Sequence, residues 1–312
     1  MPLERSEKSR VPVVIPVPAV ERIHPAAQKM SMEKQNSVLS HLGEINQADS
    51  DVERKSHRIT PVDYNSYCAV RSFSSRVRFI VMHYTAADFK TSVNLLTRGA
   101  ASAHYLVPDP SDPSYLETGN KDVKIFNLVD EKDRAWHAGV SSWRGRNNLN
   151  DTSIGIEIVN QAKYGGYGKF IFPQFNPQQI SAVKELATNI IQRYPDISPV
   201  NVVGHSDIAP GRKSDPGAAF PWKQLSEAGI GAWYDESTKA KYMAEFSQRI
   251  PAITDIVSKL KAYGYDVAGS EQEGGFKNLV RAFQLHFRPV DYSGEVDVET
   301  AAILYALVEK YP

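Results

Sequence analysis

The sequence predicts an α/β fold, a single mixed sheet flanked by helices, followed by a small C-terminal domain of three helices. Three observations carry this expectation. Short apolar runs ending in polar residues recur from about residue 75 to residue 225, interrupted by one long amphipathic segment, and strands mixed with helices on that scale build one main sheet. Beyond residue 250 the apolar spacing becomes helical and glycines mark the breaks. Residues 1–57 are polar, carry prolines and hold no sustained period, the pattern of a flexible N-terminal tail. The expected organisation is a tail over 1–57, a main domain over 58–235 and a helical domain over 250–312.

Within the tail, Met32 to Ile45 has the weak pattern of a short helix. Val77-Arg78-Phe79-Ile80-Val81-Met82-His83 predicts the first buried strand. Phe89, Val93 and Leu96 share a helical face, and that helix stops before Gly99. Ser102 to Val107 predicts a strand closed by Pro108, and the Pro-, Ser- and Asp-rich stretch from Asp109 to Asn120 a loop. Lys124 to Val129 and Ser153 to Asn160 predict two more strands, the second strongly apolar with Glu157 inside it. From Pro177 to Tyr194, residues Ile180, Val183, Leu186, Ala187, Ile190 and Ile191 line one face of an amphipathic helix. Pro199 to Val203 predicts a short buried strand. After Trp222 a polar helical connector leads to helices over Ile253 to Tyr263, Phe276 to Phe287 and Asp297 to Tyr311, a module of about 60 residues, near the lower limit for a self-sufficient core.

The chain has 312 residues, a formal net charge of +0, 42% hydrophobic and 23% charged residues, the balance of an ordinary globular protein. Nothing is basic enough to imply nucleic acid as a partner, and no run approaches the ~18 apolar residues that cross a bilayer. Cys68 is the single cysteine, which excludes a disulfide framework and a thiolate-rich zinc site and leaves histidine and carboxylate ligands. Met1 to Pro18 has a mildly basic head and a Pro-interrupted apolar stretch without a small-residue cleavage site, so it makes a poor signal peptide.

The chemistry concentrates at strand ends. The loop Gly204-His205-Ser206-Asp207-Ile208-Ala209-Pro210-Gly211-Arg212-Lys213-Ser214-Asp215-Pro216-Gly217 puts an imidazole, an ammonium and a carboxylate in one Pro/Gly-pinned segment after a buried strand. Such a loop can aim a histidine and an aspartate at one spot, but it supplies only two metal ligands. His83, at the end of the first strand, is either a third ligand or a hydrogen-bonded strand-end histidine. An unpaired carboxylate in an apolar strand is costly, so Glu157 is either ion-paired or a general base at the edge of a cleft.

Five motifs in order, Val81-Met82-His83-Tyr84-Thr85, Ser102-Ala103-His104-Tyr105, Ala135-Trp136-His137-Ala138-Gly139, Ile154-Gly155-Ile156-Glu157 and the Gly204 to Gly217 loop, together resemble the zinc-dependent N-acetylmuramoyl-L-alanine amidases of type 2. The resemblance implies that His83, His205 and Asp215 bind Zn2+, a set that leaves one tetrahedral position for water. It further implies that Glu157 is the base for that water and that Lys213 faces the substrate carbonyl. The bond cut would be the amide between N-acetylmuramic acid and L-alanine. His104 is expected on the strand beside His83, behind the ligands. His137, Tyr84 and Asn160 are expected to meet the substrate, and Trp143 to be either a further contact or core.

Leu260-Lys261-Ala262-Tyr263-Gly264-Tyr265, Ala282-Phe283-Gln284 and Gly294 to Ala302 resemble the three-helix peptidoglycan-binding domain. That resemblance makes the module an anchor on polymer, names peptidoglycan or muropeptides as the partner, and points to the periplasm or cell envelope, the alternative being an unrelated helical cap over the catalytic core. The weak leader keeps the cytoplasm as the alternative. A muropeptide receptor of the same fold that does not hydrolyse is the competing reading, although such relatives typically lack a zinc ligand. Another type of zinc hydrolase is disfavoured by the motif order and the lack of a His-Glu-x-x-His helix.

Overall fold

The computed structural model describes residues 75–166 and 169–312. The tail expected over 1–57, the helix expected over Met32 to Ile45, and Cys68 lie outside the described residues. Nine strands form among the described residues: β1 (Phe79–Tyr84), β2 (Tyr105–Val107), β3 (Phe126–Asn127), β4 (Ser142–Trp143), β5 (Arg146–Asn147), β6 (Ser153–Ile158), β7 (Lys163–Gly166), β8 (Lys169–Ile171) and β9 (Val202–Gly204). Five of them make one mixed sheet in the order β3-β2-β6-β1-β9. β2, β6, β1 and β9 run parallel, and β3 is antiparallel at the edge.

Local sequence explains the first helices. Helix α1 (Phe89–Arg98) starts where the Asp88 carboxylate accepts the Thr91 N–H and ends at Gly99. The segment predicted as loop contains a one-turn helix α2 (Pro113–Leu116). There Asp112 caps the turn, Pro113 occupies its first position, and the other Asp112 oxygen accepts the Phe89 N–H at 2.8 Å. Residue types that make turns also cap helices, and composition alone does not separate the two. Helix α3 (Pro177–Arg193) begins at the Asn176 cap with proline in its first turn.

Parallel strands are covered on both faces, and here the two faces differ. Ile80, Met82, Ile154, Ile156, Ile158 and Val202 pack with Ile180, Val183, Ala187 and Ile190 of α3. Phe79, Val81 and Val203 point the other way and join a second cluster. Three predicted strands are markedly shorter than expected: Ser102 to Val107 reduces to β2, Lys124 to Val129 reduces to β3, and Pro199–Asn201 forms a 3-10 turn ahead of β9. The hairpins β4–β5 and β7–β8 follow no alternating pattern in the sequence and were not expected.

The remaining helices are α4 (His205–Ile208), α5 (Trp222–Glu227), α6 (Glu236–Phe246), α7 (Ile253–Tyr263), α8 (Gly275–Phe287) and α9 (Val298–Lys310). The last three form within a residue of their expected limits. Their apolar faces do more than close on each other. Leu260, Tyr263, Leu279, Phe283, Phe287 and Leu307 lie in one buried cluster with Phe79, Val81, Trp143, Leu149 and Val203. The core of residues 250–312 is thus continuous with the core on one face of the sheet.

Candidate metal centre and active site

Register places the site. β1 and β6 pair so that His83 lies level with Glu157. β1 and β9 pair with Met82 opposite Gly204, which brings His205 level with His83. All three lie on the face opposite α3, at the carboxyl ends of parallel strands, where open α/β sheets present their ligand sites. Gly204 is required there, because a Cβ would fall 2.8 Å from Pro216 Cδ. The loop after α4 then returns Asp215 to the same point. Asp215 Oδ2 lies 2.8 Å from His83 Nδ1 and 3.0 Å from His205 Nδ1, and the two Nδ1 atoms are 3.0 Å apart. The three side chains are buried and offer ligand atoms within 4.8 Å of one another.

Hydrogen bonds fix the tautomers around this cluster. The Ser153 hydroxyl donates to the Leu149 carbonyl at 2.6 Å, so its oxygen accepts from His137 Nε2 at 3.1 Å. His137 Nδ1 then accepts from His83 Nε2 at 3.0 Å, which leaves the lone pair of His83 on Nδ1. His205 Nε2 donates to the Ala138 carbonyl at 3.0 Å, which likewise leaves its lone pair on Nδ1. Two lone pairs and a carboxylate oxygen converge with no proton to separate them, an arrangement that a divalent cation satisfies. Two imidazoles and a carboxylate suit zinc. The residues fit the metal.

Electrostatics follow from burial. Desolvation, then the neighbouring His205, lowers the His83 pKa to about 4. Burial alone would raise Asp215, but the two imidazoles outweigh it and hold that carboxyl well below the usual range. His137 is pushed well down by burial and by His83. Glu157 is pushed well up by burial and by the charge of Asp215, with Lys213 opposing. Its Oε2 is shut from solvent without a hydrogen-bond partner, so the sequence alternative of an ion-paired strand carboxylate is not what forms. His83, Tyr84, His137, Glu157, His205, Lys213 and Asp215 all line one cavity of about 540 Å³. Lys213 is exposed at its mouth, and Tyr84 is held against it by a 2.9 Å hydrogen bond between its hydroxyl and Ser214.

Some sequence expectations need correction. Asn160 is not among the residues lining that cavity; it is buried and donates from Nδ2 to the Pro173 carbonyl at 3.0 Å. His104 does not flank His83, because β6 lies between β2 and β1. Its Nδ1 accepts the Gly155 N–H at 3.0 Å and its ring edges onto His137. His137 keeps a place on the cavity wall, but it is only 7% exposed and uses both ring nitrogens on His83 and Ser153. Trp143 is core, its indole N–H bonded to the Val200 carbonyl at 2.9 Å. Sequence reasoning missed Ser153, Gly155 and Arg212. A Cβ on Gly155 would sit 2.4 Å from the His137 ring, so the glycine within the strand was the available signal. Arg212 donates to the carbonyls of Ala138 and Val140 and ties the loop to the segment that carries His137.

A family model described as N-acetylmuramoyl-L-alanine amidase matches residues 73–218. The chain is 47% identical to the N-acetylmuramoyl-L-alanine amidase AmiD of Escherichia coli over 237 residues, which span 76% of this chain and 84% of AmiD. The crystal structure of AmpDh3 from Pseudomonas aeruginosa superposes with a TM-score of 0.79 at 58% identity, covering 81% of this chain and 100% of that one. AmiD of Escherichia coli in complex with anhydro-N-acetylmuramic acid-L-Ala-D-γ-Glu-L-Lys gives a TM-score of 0.71 at 44% identity, covering 80% of this chain and 97% of that one. With a relative 47% identical across most of both chains, the chain belongs to the N-acetylmuramoyl-L-alanine amidases, hydrolases of the amide bond between N-acetylmuramic acid and L-alanine.

Proposed function

We propose that this amidase acts on muropeptides and peptidoglycan with zinc held by His83 Nδ1, His205 Nδ1 and Asp215 Oδ2, with Glu157 as general base and Lys213 as the cation facing the scissile carbonyl. One observation carries the reading: two proton-free imidazole nitrogens meet a carboxylate oxygen in the cavity that the half-buried Glu157 also lines, with its Oε2 shut from solvent and without a hydrogen-bond partner. Zinc supplies Lewis acidity at the amide and acidifies water. The chain's own residues do the rest. Glu157 takes the proton of the attacking water, and the upward shift of its pKa favours its keeping that proton until the leaving nitrogen takes it. The Lys213 ammonium pairs with negative charge developing on the carbonyl oxygen. Glu157 then delivers its proton to the L-alanine nitrogen as the C–N bond breaks. The half-buried Tyr84 and the cavity face of His137 form substrate-contacting wall.

Muropeptides as substrates are supported by the bound peptides of the relatives: an anhydromuramic pentapeptide in AmpDh3 and the anhydro-muramyl tripeptide in AmiD. The C-terminal motifs support peptidoglycan binding by residues 250–312, and polymer as a partner favours the cell envelope over the cytoplasm. Among the described residues no helix is long and apolar enough to cross a membrane. The test pairs two variants, with products followed by chromatography and mass detection on intact sacculi and on anhydro-muropeptides. Glu157→Gln is expected to lose about 10²-fold or more in turnover with zinc retained, the scale of a missing general base. Asp215→Ala is expected to lose both zinc and turnover. Turnover near wild type in Glu157→Gln removes Glu157 as the base, and full zinc occupancy in Asp215→Ala removes the ligand assignment.

A further inference from the structure

We propose that Tyr265 and His286 are positioning residues for His205, acting through Asp207, so that the C-terminal helices hold the metal-binding turn in place. The proposal rests on the reading of His205 as a zinc ligand. His205 opens α4, a single four-residue turn. So short a helix has no stability of its own, and its geometry is set by whatever grips it. The grip is Asp207, whose side chain is 0% exposed. Its Oδ2 accepts the Gly204 N–H at 2.7 Å, immediately before His205, and so closes the turn on itself.

Both further donors to this carboxylate come from the C-terminal helices. The Tyr265 hydroxyl, just beyond α7, donates to Oδ1 at 2.6 Å. His286 of α8 donates from Nδ1 to Oδ2 at 2.7 Å. The His286 ring stacks on Trp222 with centroids 3.8 Å apart and planes 17° from parallel. Trp222 in turn packs on Gly204, where a Cβ would come within 3.3 Å of it. Tyr265 is braced by an edge contact with Trp143 at 4.8 Å. The residues before and after His205 are therefore clamped by side chains about 60 and 80 positions away in the sequence. A buried carboxylate that lost two of its three donors would draw the turn toward other donors, because a buried polar group left unpaired is unfavourable. His205 Nδ1 would move with the turn.

The experiment measures zinc affinity of the full-length protein by competition with a chromogenic chelator, beside thermal melting. Tyr265→Phe and His286→Leu are expected to bind zinc about tenfold more weakly, the lower end of the loss seen when residues supporting a metal ligand are changed. His286→Asn keeps an N–H donor near the place of Nδ1 and is expected to recover most of that loss. Leu307→Ala, in the same buried cluster but on α9, which gives Asp207 no hydrogen bond, is expected to melt lower while binding zinc as wild type does. Wild-type affinity in both Tyr265→Phe and His286→Leu overturns the proposal, and so does an equal loss in Leu307→Ala. A His205→Ala arm separates the two levels: undiminished zinc binding there overturns the ligand assignment itself, and this proposal with it.

Discussion

The two faces of the central sheet are made by alternate residues of the same strands, and they have opposite characters. Toward α3, residues 80, 82, 154, 156 and 158 are all isoleucine or methionine and fully buried. Toward the C-terminal helices, Phe79 and Val81 give way to His83, and Ser153 and Gly155 lead to Glu157. Burial has different consequences on the two sides. On the first it stabilises the fold by removing apolar surface from water. On the second it changes proton affinity, lowering His83 and raising Glu157. One face makes the sheet stable and the other uses that rigidity to hold polar groups that would otherwise seek water.

Removing the cover of the second face is the harshest way to break this comparison. A chain ending at residue 249 would expose Phe79, Val81, Trp143 and Leu149 on the sheet side of the shared cluster. Each large apolar side chain returned to water costs about 1.5–3 kcal/mol, and several of them approach the whole stability of a typical domain. The truncated protein is expected to be largely unfolded by circular dichroism and inactive on small soluble muropeptides as well as on sacculi. An anchor attached only by a linker behaves differently: its loss leaves soluble-substrate cleavage intact, and that result would show the catalytic face to be independent of the helices.

Neighbouring residues sharpen the comparison at lower cost. Gly155 and Ile156 are adjacent in β6 but face opposite ways. Gly155→Ala places a methyl 2.4 Å from the His137 ring, which must shift and carry with it the hydrogen bond to His83. Zinc affinity and turnover per folded molecule are both expected to fall. Ile156→Val removes one methylene from the α3 face and is expected to cost about 0.5–1.5 kcal/mol in stability, read as a lower melting temperature, with turnover per folded molecule unchanged. Equal losses of turnover in the two variants would erase the distinction between the faces.

What the sequence made legible divides along the same lines. Strands, helix limits and caps are short-range patterns, so β1, β6, α1, α3 and the last three helices could be read from local spacing. Strand ends and a Pro/Gly-pinned loop marked His83, Glu157, His205 and Asp215 as candidates, each with a structural alternative, and it was the family resemblance that joined them into one set. Long-range pairing was not readable. Nothing near His104 indicates that β6 separates it from β1, and nothing near Ser153 indicates that its hydroxyl sets the tautomer of His83 through His137. Asn160 has the composition of a binding residue, yet its amide is occupied by Pro173. The tie between Asp207 and the C-terminal helices joins segments that the sequence presents as separate domains.

The smallest effect to be measured concerns pH. In the folded, metal-free protein the Glu157 carboxyl is raised well above its ordinary 4.5, chiefly by burial and then by Asp215, against Lys213. As pH rises above 4.5 the unfolded chain ionises this group while the folded chain keeps it protonated. The folded state then binds more protons, so its stability falls with rising pH across that window. The neutral amide of a Glu157→Gln variant does not titrate and escapes the loss. His83 titrates in the opposite sense, with stability lost as pH falls from 6.5 toward about 4, but it is present in both proteins and largely drops out of the difference. After chelation, calorimetric melting of the two proteins is therefore expected to coincide near pH 4 and to separate by about pH 7 with the variant more stable. The difference between wild type and Ile156→Val has no titrating group in it and should stay constant over the same range. A gap between Glu157→Gln and wild type that ignored pH would mean that the carboxyl reaches water in the folded protein, and the polar face would lose the burial on which its chemistry depends.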